Sequence, residues 1–261
     1  MQEFLKTIIK EAGAIAKGFY KEGIEYTIKS HVGDIVTKAD QETSDFLLTK
    51  IKEKYPEHGI ISEEEDETHK PEAEYMWVID PIDGTRNFAN HIGMWCTMIG
   101  ITKNNKPYLG AIYDAMNDEL FFAEVGKGAY LNGEKIKVNK CDDIEHFYTS
   151  FSAGQLRNDS PYNSDKDMMK RYFKFYENLM GETGHWVTNY STCLSLAHVC
   201  VGRMDAFINN SGLYHDYLAG SIIAREAGAL VTNADGEDWE KGRHDIVIAN
   251  PKLHKKILEL F

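Results

Sequence analysis

The sequence predicts an α+β fold built in layers. Two observations point there. Apolar residues at helical spacing open the chain, and a long run of strand and turn signals fills its middle. A third is the alternation of helix and strand patterns after residue 145.

Phe4, Leu5, Ile8, Ile9, Ala12, Ile15, Ala16 and Phe19 mark one face of a first helix. A second helical pattern follows Asp40 through Phe46, Leu47, Ile51 and Tyr55, and Pro56 stops it. Gly59-Ile60-Ile61-Ser62 is a short strand that runs into four acids, Glu63 to Asp66, and residues 67–75 form a polar loop. Met76-Trp77-Val78-Ile79 is a buried strand ending at Asp80. Strands over Gly93–Thr102, Tyr108–Tyr113 and Asp118–Val125 continue as an antiparallel meander. Gly126-Lys127-Gly128 is a tight connection, and Asn132-Gly133 signals a type I′ hairpin.

Residues 154–166 are polar and loop-like. Met168, Met169, Tyr172, Phe173, Tyr176, Leu179 and Met180 form a helical stripe, expected to face the core rather than a cofactor. Ser191–Gly202 is a helix capped by Ser191 or Asn189. Asp205–Ile208 is a strand. Asp216 opens a helix through Ala219, Ile222, Ile223 and Ala227, closed by Gly228. Ala229–Thr232 and Ile246–Ala249 are strands, and Asn250-Pro251 starts a last helix. The expected organisation is one compact unit of two joined halves, 1–145 and 146–261, with the main acidic motifs in the first and the second completing the site.

Composition narrows the function. At 261 residues, 43% hydrophobic and 27% charged, the chain has a substantial core, which excludes disorder over most of it. Basic residues number 29 and acidic residues 41, a net charge of −12 with no dense Lys/Arg cluster, so a nucleic-acid partner is not expected. The excess acid either solvates the surface or gathers round cations. Cys96, Cys141, Cys193 and Cys200 form no metal-knuckle spacing and are expected as buried free thiols, which fits the cytoplasm. No leader pattern and no long apolar run occur, so no membrane partner is expected, and the sequons at Asn158, Asn189 and Asn209 are taken as chance.

Asp80-Pro81-Ile82-Asp83-Gly84-Thr85 carries the most chemistry. Two acids lie three residues apart directly after a buried strand, Pro81 stiffens the turn and Gly84 permits close backbone approach. Thr85 then begins a helix, and amides at a helix start suit phosphate. Paired carboxylates beside a phosphate site describe a Mg²⁺-dependent phosphoryl-transfer centre. On this stretch alone an ordinary Asp-Pro turn remains the other reading. Glu63, Glu64, Asp40 and Asp216 are further acids placed at strand or helix ends.

In order along the chain, Asp34-Ile35-Val36-Thr37-Lys38-Ala39-Asp40, Ile61-Ser62-Glu63-Glu64, Trp77 to Phe88 and His215-Asp216-Tyr217-Leu218-Ala219-Gly220 resemble the D-x-V-T-x-x-D, G-E-E, W-x-x-D-P-I-D-G-T-x-N-F and W-D-x-A-A-G segments of the inositol monophosphatase family. Gly110-Ala111-Ile112-Tyr113 and Gly126 to Gly133 are similar to the family's hairpin region. The resemblance implies a layered αβαβα sandwich like that of the inositol monophosphatases and fructose-1,6-bisphosphatases, usually a homodimer and lithium-sensitive.

It also implies a site. Glu63, Asp80 and the Ile82 carbonyl would hold a first Mg²⁺; Asp80, Asp83 and Asp216 a second; a third, weaker ion would sit near Glu63. Thr85, hydrogen-bonded to Asp40, would orient the attacking water and take its proton, with Glu63 assisting; Gly84 and Thr85 amides would grip the phosphate. Substrate contacts would come from Asp83, Gly84, Thr85, Thr192, Asn209 and Asp216, and Lys29 is a further candidate for the phosphate. The substrate would be a small phosphate monoester, inositol monophosphate or a related polyol phosphate.

The substrate end departs from the family pattern. Asn209 stands where inositol phosphatases carry Glu, Tyr190-Ser191-Thr192-Cys193 replaces G-[ST]-A-A, Ser62 replaces a Gly, and His215 a Trp. Histidinol phosphate, fructose 1,6-bisphosphate and 3′-phosphoadenosine 5′-phosphate therefore stand as alternative substrates. A transcription-associated role as a protein partner, with vestigial activity, is the alternative from another class.

Overall fold

Two helices pack on one face of a large sheet. In the computed structural model, which describes residues 1–22, 26–28, 35–65, 67–153, 166–181 and 185–261, α1 (Gln2–Glu22) buries Leu5, Ile8, Ile9, Ala12 and Ala16. That is the stripe its periodicity predicts. β1 (Tyr26–Ile28) and β2 (Ile35–Thr37) pair antiparallel. Three residues are too few to show alternation, so these strands are not legible in the sequence. Lys29, His31, Asp34, Asp66 and the expected loop at 154–165 lie outside the described residues.

α2 (Lys38–Lys54) starts earlier than the apolar pattern suggests, because Thr37 caps it. The Thr37 hydroxyl accepts the Ala39 and Asp40 amides, while Asp40 Oδ2 accepts the Thr37 amide at 2.8 Å and its hydroxyl at 2.6 Å. This reciprocal cap fixes the Asp40 carboxylate.

The large sheet has seven strands, arranged in space in chain order: β3 (Gly59–Ser62), β4 (Tyr75–Asp83), β5 (Cys96–Lys103), β6 (Lys106–Asp114), β7 (Glu119–Glu124), β8 (Gly128–Leu131) and β9 (Glu134–Ile136). β3 runs parallel to β4, and every later pair is antiparallel. The β8–β9 turn has φ of 49° at Asn132 and 87° at Gly133, the two positive values a type I′ turn requires. β4 does not end at Asp80. It continues to Asp83, with a register shift against β5 between those residues. The irregularity accommodates Pro81, which has no N–H for the ladder. α3 (Thr85–Ala89) follows directly.

The second sheet has the order β11-β10-β12-β14-β13, built from β10 (Tyr148–Ser152), β11 (Trp186–Thr188), β12 (Ala206–Asn209), β13 (Leu230–Thr232) and β14 (Ile246–Ala249). β10 and β11, a parallel pair at one side, were not expected from the sequence. α4 (Lys166–Gly181), α5 (Thr192–Cys200), α6 (Tyr214–Glu226) and α7 (Pro251–Leu258) complete the chain. Asp216 is the third residue of α6 rather than its opener; Leu213 is the cap, and its amide donates to Asp216 Oδ2.

Three buried clusters define the layers. Trp77, Ile79, Ile99 and Ile101 join the buried faces of α1 and α2. Val78, Met98, Ile112 and Phe121, on the opposite face of the large sheet, join α5, α6, Phe207 and Ile248. Ile208, Val247 and Ala249 join Tyr172, Phe175, Leu253 and Ile257 of α4 and α7. Period-two alternation along β4 and β12 thus sends neighbouring residues into different layers. The result is the expected αβαβα sandwich.

The middle helix layer sits very close to the large sheet. A Cβ on Gly110 would lie 2.5 Å from the Ala219 carbonyl oxygen, and one on Gly100 would lie 2.7 Å from Leu218. These two glycines, on β5 and β6, let α6 lie close against the large sheet.

Candidate metal centre

Strand ends and helix starts meet at one point. β3 delivers Glu63, whose amide bonds the Ile79 carbonyl at 3.1 Å. β4 delivers Asp80, Ile82 and Asp83, then Gly84 and Thr85 at the start of α3. α2, α5 and α6 each present their first turn there, with Asp40, Ser191 to Cys193, and Asp216. Dipoles at helix N-termini favour negative charge, which eases the gathering of acids.

Asp80 and Asp83 are 1% and 6% exposed. Asp83 Oδ2 accepts the Cys193 amide at 2.8 Å and the Cys96 thiol at 3.7 Å. Oδ1 of Asp80 is buried with no hydrogen-bond partner. Oxygens of both aspartates and the Cys193 sulfur lie within 4.8 Å of one another. Glu63 and Asp216 are not part of that tight group, but both act on it. Burial, then the charges of Glu63, Asp83 and Asp216, push Asp80 well above the ordinary carboxylate range. Burial, then Asp216, raises Asp83 to about 7, against the hydrogen bonds from Ser191 and Cys193. Burial, then Glu63, raises Asp216 to about 7.

Among the described residues no lysine or arginine pairs with any of these four acids. His215 Nε2 is 4.0 Å from Asp216 Oδ1. Acids that raise one another, around an orphan carboxylate oxygen, fit a multivalent cation with hard oxygen ligands such as Mg²⁺.

Thr85 and Asp40 stand at the edge of this group. The Thr85 hydroxyl lies 3.0 Å from the Ile82 carbonyl and 3.3 Å from Asp40 Oδ1. Burial, against the Thr37 hydrogen bonds, raises Asp40 to about 7; Glu64 and Glu63 add to the rise. Gly84 has φ of 91°, and a Cβ there would lie 2.8 Å from Ser191 Cβ and 2.9 Å from the Met94 carbonyl. Only glycine fits, so α5 can close against the turn.

The expected substrate contacts divide. Thr192 is half-buried at the first position of α5, beside the Asp83 contact of Cys193. Asn209 is buried at the end of β12, and its Oδ1 accepts the Ser211 amide at 2.7 Å and hydroxyl at 3.0 Å. That carbonyl is engaged in its own turn. Ser191, Cys193 and Cys96 touch Asp83 but were not expected at the site. Their sequence signals, the Ser191 cap, the likeness of Tyr190 to Cys193 to G-[ST]-A-A and the spacing of Cys193 and Cys200, place a helix start there but not its contact with Asp83. A separate cavity of about 930 Å³, between α1 and β7–β8, contains none of these carboxylates.

Comparison with known proteins follows the same lines. The model of the inositol monophosphatase family matches residues 1–261. An inositol-1-monophosphatase of Bacillus subtilis is 34% identical over 99% of this chain and 95% of its own. A Nus factor SuhB of Pasteurella multocida is 30% identical over 95% of this chain and 90% of its own. The crystal structure of the extragenic suppressor protein suhB of Bartonella henselae superimposes with a TM-score of 0.88, at 26% identity, covering 99% of this chain and 97% of that one.

Proposed function

The chain belongs to the inositol monophosphatase family, and from that premise we propose that this phosphoric monoester hydrolase cleaves inositol monophosphate or a related small polyol phosphate with Mg²⁺. The observation that carries the reading is the hydrogen bond from Thr85 to Asp40 beside a cluster of acids in which the buried Asp80 Oδ1 has no hydrogen-bond partner.

Glu63, Asp80 and the Ile82 carbonyl are the ligands proposed for a first Mg²⁺, and Asp80, Asp83 and Asp216 for a second, with a third near Glu63. Bound Mg²⁺ would neutralise the phosphate charge and lower the pKa of water. The chain's own residues do the rest. Thr85 accepts the proton of the attacking water as its own hydroxyl proton passes to Asp40, which burial has made a good acceptor near neutral pH. Asp40 can hold that proton because Thr37 anchors its other oxygen. The amides of Gly84 and Thr85 orient the phosphate, and Thr192 borders the alcohol. Most of the rate comes from positioning and charge placement.

We place the enzyme in the cytoplasm as a homodimer. The free cysteines suit a reducing compartment, and among the described residues no helix is long and apolar enough to cross a membrane. Phosphate release from inositol 1-phosphate, fructose 1,6-bisphosphate, 3′-phosphoadenosine 5′-phosphate and histidinol phosphate, with Mg²⁺ and with EDTA, tests the reading. No metal-dependent release from any of them would sink it.

The likeness to a Nus factor supports a second reading, in which the chain acts mainly through a protein partner in transcription. Asp83→Asn separates the two. Loss of turnover with every cellular role kept would favour the partner.

A further inference from the structure

Two thiols stand against the carboxylates, and the proposed hydrolysis uses neither. Cys96 begins β5 and Cys193 is the second residue of α5. Both are fully buried, and both lie against Asp83, Cys193 through its backbone amide. Cys96 reaches Asp83 Oδ2 at 3.7 Å. The Cys193 sulfur lies within 4.8 Å of carboxylate oxygens of both Asp80 and Asp83. Asp80 adds a buried oxygen, Oδ1, that no donor satisfies. A buried carboxylate oxygen with no donor is costly unless a cation takes its place.

We propose that Asp80, Asp83 and Cys193 form a site for a thiophilic divalent cation, zinc or cadmium. The site would share the two aspartates with the Mg²⁺ centre and add one sulfur. This inference rests on reading Asp80 and Asp83 as cation ligands. A thiolate selects zinc or cadmium over magnesium because it is soft, whereas magnesium demands oxygen. One sulfur and two carboxylates are three protein ligands, which leaves the open position of a four-coordinate zinc site.

On binding, the Cys193 sulfur exchanges its proton for the cation, and the proton leaves to solvent. The bond that Cys193 now donates to the Asp216 carbonyl, at 3.1 Å, is given up in the exchange. The Cys96 thiol, which donates to Asp83 Oδ2, remains as an outer partner of the kind that orients metal ligands. Zinc and magnesium then compete for the same aspartates, and zinc lowers magnesium-dependent turnover.

The test titrates metal-stripped full-length protein with cadmium and follows the ultraviolet sulfur-to-cadmium charge-transfer band. A Cys141→Ala background removes the partly exposed thiol. The rise in Tm on adding Mg²⁺ is measured on the same proteins. The expected result is a band that saturates at a single equivalent. It survives Cys96→Ala, disappears in Cys193→Ala and weakens in Asp83→Asn. The Mg²⁺-induced rise in Tm persists in Cys193→Ala and is lost in Asp83→Asn. Where the alanine chain fails to fold, Cys193→Ser, which keeps a donor for the Asp216 carbonyl, repeats the measurement.

No band in a protein that Mg²⁺ still stabilises overturns the thiol site and leaves the carboxylate centre standing. A band that persists in Cys193→Ala overturns it as well. A band lost in Cys193→Ala, in a protein that Mg²⁺ does not stabilise, upholds the thiol site and sinks the magnesium reading instead.

Discussion

Thr85 and Asp40 meet in a hydrogen bond, Oγ1 to Oδ1, at 3.3 Å. They come from different helices, and each is fixed from behind. Asp40 is held by the amide and hydroxyl of Thr37, and Thr85 by its place next to Gly84 at the start of α3. The pair is therefore set in place before substrate arrives.

Asp40→Asn separates the proton relay from the fold. Its side-chain carbonyl still accepts from Thr37, so the cap of α2 survives and Tm changes little. Its amide then faces Thr85 as a donor and cannot take a proton. We expect kcat to fall by about a hundredfold or more, the usual range for losing a general base, with KM nearly unchanged. Steady-state kinetics beside a thermal melt checks both halves. A kcat close to the parent's removes Asp40 from the mechanism.

Asp216→Asn should stabilise the metal-free protein. It removes one charge from a group in which burial and Glu63 already raise Asp216 to about 7. With Mg²⁺ added the order should reverse, because the parent gains a bound cation that the variant holds weakly. Melts in EDTA and in Mg²⁺ decide it. A variant less stable than the parent in EDTA contradicts the charge-repulsion account.

Metal-free protein should lose stability as pH rises. Asp83 and Asp216 hold their protons to about 7 when folded, against 3.8 for the unperturbed group. The folded state thus binds more protons across that window, and stability falls from about pH 4 to about pH 7 before levelling. Mg²⁺ should flatten the profile at its alkaline end. Denaturant midpoints across pH, with and without EDTA, measure it. A profile that rises with pH in EDTA would falsify the assignment of these acids as neutral in the metal-free fold.

Gly110→Ala should weaken the site from a distance. Its Cβ would lie 2.5 Å from the Ala219 carbonyl oxygen, a backbone atom that cannot swing aside. We expect a loss of about 1–3 kcal/mol, the usual cost of overpacking, together with weaker Mg²⁺ binding, since α6 carries Asp216. Unfolding and Mg²⁺ titration read the two effects. An unchanged Mg²⁺ affinity would show that α6 does not need this close contact to place its aspartate.

Whatever depends on neighbours a few residues away was legible in the amino-acid order. The stripe of α1, the Asn132-Gly133 turn and the Asn250 cap are settled by local periodicity and backbone freedom. Asp80 to Thr85 is legible for the same reason: proline, glycine and two acids constrain one short stretch of backbone. What meets that stretch follows from packing. Only packing brings Cys96 and Cys193 to Asp83, because their positions depend on how α5 and β5 stack across the middle layer. Strands such as β1, β2 and β11 are too short to carry a period and exist only through their partners. Asn209 shows the limit from the other side. The resemblance implies a ligand contact there, and only the structure shows its carbonyl bonded to Ser211. Residue type and spacing fix local geometry, whereas side-chain partners follow from layers whose contacts span the whole chain.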